Sequence, residues 1–219
     1  MSELALEHEF VEGSDAAPAL LLLHGTGGSP TDILSLGKEL CPASPMLAPA
    51  GQVSEQGAAR WFRRHAEGVF DTEDVVFRAG QLADFIVEAR ERYGLQGRRL
   101  VAVGFSNGAN IAAAVVLLRP DVLTEAVLFA SMLPVPDPPR HDLSATQVLM
   151  ANGRHDPMAP LVPAQELAAV LRERGAEVTE HWHSGGHQIT VDGLAAAKKW
   201  LAVDGQNDRM RRTGDQYIG

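Results

Sequence analysis

The stretch RLVAVGFSNGANIAAAVVLL, Arg99 to Leu118, decides the fold. Its first part, Arg99–Val103, runs apolar without polar alternation, which suits a parallel strand covered on both faces. It stops at Gly104-Phe105-Ser106-Asn107-Gly108, and the apolar segment Asn107–Leu118 that follows reads as a helix. A Gly-x-Ser-x-Gly between a buried strand and a helix is the pattern of a nucleophile elbow. The serine occupies a sharp, strained turn, and the flanking glycines remove side chains that would collide there. The helix that starts at Asn107 would aim its positive end at negative charge developing beside Ser106.

The same form recurs on either side. Leu20–Leu23 is an unbroken apolar run that ends at HGTGGSPTD, and Glu125–Ala130 and Gln147–Ala151 repeat it. Between the runs lie helical patterns. In Thr72–Tyr93 the residues Val75, Ala79, Leu82, Ile86, Ala89 and Tyr93 recur at steps of three and four. Leu161–Arg174 and Ile189–Val203 behave alike, and Pro30 suits the first position of a helix reaching Leu40. Strands alternating with helices imply an α/β fold: a doubly wound, mostly parallel sheet with helices on both faces. Residues 1–203 are expected to form one domain. Residues 204–219 are polar and mixed in charge, and are expected to be a flexible tail.

Composition limits the partners. The chain has 219 residues, with 19 Lys+Arg against 28 Asp+Glu and a net charge of −9. An acidic balance argues against nucleic acid, whose binders use basic stripes to displace counterions. Cys41 is the sole cysteine, which excludes an internal disulfide. The N-terminal MSELALEHEF carries Glu3, Glu7 and Glu9 and lacks the basic start of a secretory leader. The apolar runs Ala16–Leu23 and Ile111–Leu118 are too short to span a membrane. A cytoplasmic protein is the expectation.

A serine hydroxyl is a weak nucleophile until a base takes its proton, and that base needs an orienting acid. In this architecture the order is serine, acid, histidine, with both partners on loops at the carboxyl ends of strands. After Gln147–Ala151 comes NGRHDP, which puts Asp156 on the next loop; Asp137 and Asp142 follow the proline-rich loop instead. After Glu177–His183 comes SGGHQ, which puts His187 on the last strand-to-helix loop. His181, His183 and His187 together could also hold a zinc ion, but the serine arrangement already accounts for His187, so no metal is expected. His155 reads as solvated or packed at the edge of the site.

An anion-stabilising pocket would need the backbone N–H of Asn107 and a second amide from the loop after an early strand. His24-Gly25-Thr26-Gly27-Gly28 is that loop, with Thr26 the best placed donor and Gly25 or Gly27 as alternatives. No Gly-Lys-Ser/Thr follows its glycines, so it is not a phosphate loop. His24 reads as a structural residue that holds the loop. Arg60-Trp61-Phe62-Arg63-Arg64 concentrates positive charge beside two rings in an acidic chain. It can be a solvated basic face over packed rings, or a wall of the substrate pocket. Trp61 and Phe62, with Gly25, are expected to line the pocket, and the arginines' role stays open.

The blocks LLLHGTGGSPTD, RWFRRHAEGVFDTEDV, VGFSNGANIAAAVVL, NGRHDPMAP and HSGGHQIT, in that order, resemble the α/β-hydrolase superfamily. The similarity is to its small bacterial carboxylesterase/phospholipase branch, which includes acyl-thioesterase-like proteins. It implies Ser106, Asp156 and His187 as a catalytic triad, Thr26 and Asn107 as oxyanion donors, and no cofactor. The expected activity is cleavage of small or medium acyl or aromatic esters, with thioester or deacylase activity as the alternative and a non-catalytic ligand-binding protein as a third. A homodimer is expected by family analogy alone. Many such folds insert a helical cap between strands. Ser131–Ala145, with Pro134, Pro136, Pro138 and Pro139, cannot build one. Ala50–Phe70 is the other candidate cover.

Overall fold

The structure, a computed structural model, describes the backbone of residues 4–214 and the side chains of residues 4–202. In chain order its elements are β1 (His8–Val11), β2 (Ala19–Leu23), α1 (Pro30–Leu40) and β3 (Met46–Pro49), then β4 (Val53–Glu55), β5 (Ala58–Arg60), β6 (Arg64–Ala66) and β7 (Val69–Phe70). There follow α2 (Thr72–Arg92), β8 (Leu100–Phe105), α3 (Asn107–Leu118), β9 (Glu125–Phe129), β10 (Gln147–Gly153), α4 (Leu161–Glu173), β11 (Glu177–His183) and α5 (Val191–Gly214).

Seven strands form the central sheet in the order β1-β3-β2-β8-β9-β10-β11. Only the edge pair β1–β3 is antiparallel; the other five pairings are parallel. The apolar runs are explained by burial on both sides. Leu21 and Leu23 of β2 join the core on the side of α2, α3 and α4, whereas Leu20 and Leu22 join the core on the side of α1 and α5. Helix α3 is buried along nearly its whole length, because α2 covers its outer face. This explains why its sequence is apolar all round rather than amphipathic.

Helix α1 starts as its sequence suggests, with Ser29 as N-cap accepting from the Asp32 N–H and Pro30 in the first turn. Helix α5 begins two residues later than expected, at Val191, and continues to Gly214. The boundary drawn at Val203 therefore falls inside a helix, while residues 215–219 of the expected tail lie outside the described residues. Among the described residues no helix is long and apolar enough to cross a membrane.

Two departures bear on the site. Strands β1 and β3 add an edge that the sequence reading did not contain. Residues 50–70 form two small antiparallel hairpins, β4–β5 and β6–β7, rather than a helical cover. Ser131–Ala145 carries no helix or strand.

Candidate active site

The site forms where β2, β8, β10 and β11 end. Ser106 has φ 54° and ψ −117°, a left-handed backbone that a residue with a side chain adopts only at a cost. The turn is held because the Ser106 N–H donates to Phe129 O at 2.9 Å and the Asn110 N–H donates to Ser106 O at 2.9 Å. Its glycines are required by close approach. A Cβ at Gly104 would meet Gly108 O at 2.5 Å, and one at Gly108 would meet Leu23 O at 2.0 Å. The elbow thus packs directly on the end of β2, which brings the Gly25–Gly28 loop beside it.

Ser106, Asp156 and His187 are brought together. His187 Nδ1 lies 2.8 Å from Asp156 Oδ2, and His187 Nε2 lies 2.8 Å from Ser106 Oγ. A carboxylate only accepts, so Nδ1 carries the ring proton and Nε2 is left to accept from the serine hydroxyl. The Asp156 side chain has no solvent exposure. Its other oxygen, Oδ1, accepts the N–H groups of Met158 and Ala159 at 2.8 and 2.9 Å. A buried carboxylate that accepts from three donors is fixed in place and cannot swing. Phe105 packs on the His187 ring, 5.1 Å between centroids.

Asp142, His181, His183 and His155 have partners away from Ser106. Asp142 caps the Ser144 N–H. His181 faces Asp192 at 3.2 Å, buried His183 accepts the Gly185 N–H, and His155 donates to Ser184 O. Among the described residues no three His, Cys, Asp or Glu side chains gather as a metal site.

Helix α3 has no side-chain cap, so the N–H groups of its first turn, beginning with Asn107, lack a helical acceptor. In the opposing loop the Gly27 N–H is spent on Ala59 O and the Gly28 N–H on Gly25 O. This removes Gly27 from the candidate donors and leaves Thr26 and Gly25. Thr26, Ser106 and Asn107 border one cleft with Arg60, Glu67, Phe70, Asn110 and Met158; it measures about 290 Å³ including its open mouth.

Trp61 and Phe62 do not line that cleft, contrary to the expectation. Phe62 is fully buried and meets Phe70 edge-on, 5.0 Å between centroids. Trp61 is also buried, and its indole N–H donates to His24 O at 2.9 Å. Both rings belong to the main hydrophobic core, with residues of α2 and α3. Gly25 likewise sits against the Phe105 ring rather than on the cleft wall. The residue that does reach the cleft is Arg60, whose role the sequence left open. Its only sequence signal was a charge set among aromatic rings. Arg63 and Arg64 are more exposed and pair with Asp71 and Asp74, and with Glu55 and Glu67.

His24 is buried with both ring nitrogens engaged. Nδ1 donates to Gly25 O at 2.8 Å, and Nε2 accepts the Gly51 N–H at 3.0 Å. Burial pushes its pKa below the usual 6.5.

A parallel sheet with helices on both faces and a strained serine elbow at its carboxyl edge define an α/β-hydrolase. The chain belongs to the phospholipase/carboxylesterase family, whose family model matches residues 7–204. It is 40% identical over 195 residues to the putative hydrolase MhqD of Bacillus subtilis (strain 168), covering 89% of this chain and 97% of that protein. The crystal structure of the Bacillus cereus carboxylesterase matches with a TM-score of 0.87 and 39% identity, over 90% of this chain and 94% of that one. A protein of unknown function from Agrobacterium tumefaciens strain C58 matches with a TM-score of 0.81 and 38% identity, over 90% and 96% of the two chains. The protein is a hydrolase of the carboxylesterase type.

Proposed function

We propose that the protein is a serine esterase that cleaves carboxylic esters of small or medium acyl or aromatic substrates through an acyl-enzyme. The observation that carries this reading is the continuous relay from Ser106 Oγ through His187 to the buried Asp156 carboxylate. Ser106 Oγ attacks the ester carbonyl carbon while its proton passes to His187 Nε2. The tetrahedral oxyanion is held by the N–H groups of Asn107 and Thr26. His187 then protonates the leaving alcohol as the C–O bond breaks, which leaves the acyl group on Ser106. Water attacks that acyl carbon and gives its proton to His187, and Ser106 takes the proton back as the acid departs. Asp156 stays ionised and stabilises the imidazolium. No step calls for a cofactor.

Substrate size follows from what surrounds the cleft. With no helix in residues 131–145 and only small hairpins over residues 50–70, the mouth stays open to soluble esters.

The test is fluorophosphonate labelling combined with a p-nitrophenyl ester series of increasing acyl length. The label should map to Ser106, and Ser106→Ala should lose it together with a factor on the order of 10⁶ in turnover. Activity of that variant within tenfold of wild type overturns the mechanism. A strong preference for emulsified long-chain triglyceride overturns the substrate class. A matched acyl-thioester series decides between ester and thioester.

A further inference from the structure

The two loops that supply the oxyanion donors are tied to one short segment, residues 59–61. Ala59 O takes the Gly27 N–H at 2.8 Å. Arg60 Nη1 donates to Thr26 Oγ1 at 2.9 Å. The Trp61 N–H donates to Asn107 Oδ1 at 2.7 Å, and its indole N–H holds His24 O. The second hairpin strand therefore grips the β2–α1 loop and the first residue of α3 at once.

Arg60 is the unusual member of this group. It is 3% exposed, and a buried guanidinium is costly unless it is partnered. The Arg60 Nε–H is shared between Glu55 Oε2 at 3.1 Å and Phe62 O at 3.3 Å, and Nη1 extends from that anchored end to Thr26. An apolar side chain would fill the same space without the desolvation cost. What it would lack is a directed donor to the Thr26 hydroxyl.

We infer that Arg60 is a positioning residue for the reaction: through Thr26 Oγ1 it fixes the oxyanion loop at its working distance from Ser106. The inference rests on the serine-esterase reading. Glu55 and Glu67 offset the charges of Arg60 and Arg64 around this wall, so the role inferred for Arg60 is one of position rather than of charge. Its contribution is geometric, and it falls on the transition state, where a misplacement of about 1 Å can cost on the order of 100-fold.

The experiment is a double-mutant cycle of Arg60→Met and Thr26→Val, read with a neutral p-nitrophenyl ester and with a trifluoromethyl ketone of matched acyl length. The ketone forms a tetrahedral adduct on Ser106 and so reports the oxyanion pocket directly. Each single variant should lose roughly 10- to 100-fold in kcat, with KM within threefold and ketone affinity weakened in parallel. The double variant should lose no more than the worse single one, since both break the same link. Arg60→Lys should recover part of the loss. Arg64→Met, which also removes a partner of Glu55 but does not touch Thr26, should keep kcat within threefold. Thermal unfolding of Arg60→Met checks that the protein is folded; if it is not, Thr26→Val and the ketone affinity carry the test. Unchanged kcat and ketone affinity in Thr26→Val, a loss confined to KM, or fully multiplicative losses in the double variant overturn the inference. If wild type is not labelled at Ser106, the esterase reading falls and takes this inference with it. If wild type is labelled and the variants keep kcat, only the inference falls.

Discussion

His187 Nδ1 donates to Asp156 Oδ2 at 2.8 Å across a separation of 31 residues, and the carboxylate at that contact is wholly shielded from water. The two loops meet because β10 and β11 pair in parallel register up to Gly153 and His183, so their carboxyl ends finish side by side. The Arg154 N–H donates to His183 O and the His155 N–H to Gly185 O, which staples the loops just past the strands. The site geometry is therefore a consequence of sheet register.

Asp156→Asn keeps the volume and the hydrogen bonds from Met158 and Ala159 but offers His187 an amide in place of an anion. The wrong tautomer would then be favoured and the imidazolium unsupported. The expected loss in kcat for a p-nitrophenyl ester is on the order of 10⁴. Circular dichroism and thermal unfolding should show a folded protein. A variant within tenfold of wild type would mean that Asp156 is not the orienting acid.

Gly108→Ala tests the elbow as a packing device. A methyl group there would sit 2.0 Å from Leu23 O and 2.5 Å from His24 O, both backbone atoms that cannot rotate away. Overpacking of this kind costs about 1–3 kcal/mol, and more where backbone must shift. Urea unfolding should report a loss at or beyond the top of that range, with activity falling as β2 and the elbow separate. Wild-type stability would show that the contact relaxes without penalty.

The elements that could be read from sequence share one property: their partners are apolar and nearly interchangeable. Strands β2, β8, β9 and β10 are continuous hydrophobic runs because helices cover both sheet faces, and that signal survives without knowing the neighbours. Strand β3 is the four residues MLAP beside Pro45, and β1 is an edge with His8 and Glu9, so neither carries a long run or clean alternation. The hairpins are worse, with strands of only two or three residues, too short to show a period. The same contrast holds at the site. Ser106, Asp156 and His187 could be proposed because strand ends announce them. Arg60 could not be given a role, because what it does depends on a hydrogen bond to Thr26, 34 residues away. Trp61 and Phe62 were misplaced because aromatic rings beside charges look the same whether they line a pocket or fill a core.

Phe62→Ala separates those two uses. Phe62 is fully buried, packs on Phe70 and belongs to the main core beneath α2. Truncating a buried phenylalanine costs about 3–5 kcal/mol. The expected result is that drop in urea unfolding, with KM for a short aromatic ester within threefold in the fraction that stays folded. A large rise in KM at unchanged stability would return the ring to the substrate wall.

His24→Gln probes how the Gly25–Gly28 loop responds to acid. The ring is buried and neutral, donating from Nδ1 to Gly25 O and accepting the Gly51 N–H on Nε2. Desolvation is the main cause holding its pKa below the usual 6.5. Protonation would also set two N–H groups against each other at Gly51. The sign follows from linkage: the unfolded chain binds the proton more readily than the folded one. The stabilisation is therefore fully present above about pH 6.5, and is lost as pH falls through the depressed folded value. Wild type should lose thermal stability between pH 7.5 and 5 more steeply than His24→Gln, which carries no titrating group at this position. Gln can still accept at its amide oxygen, so the variant should fold, at a cost of about 1–2 kcal/mol at neutral pH for the imperfect replacement. Parallel stability curves for the two proteins across that window would remove His24 as an acid-sensitive point of the loop.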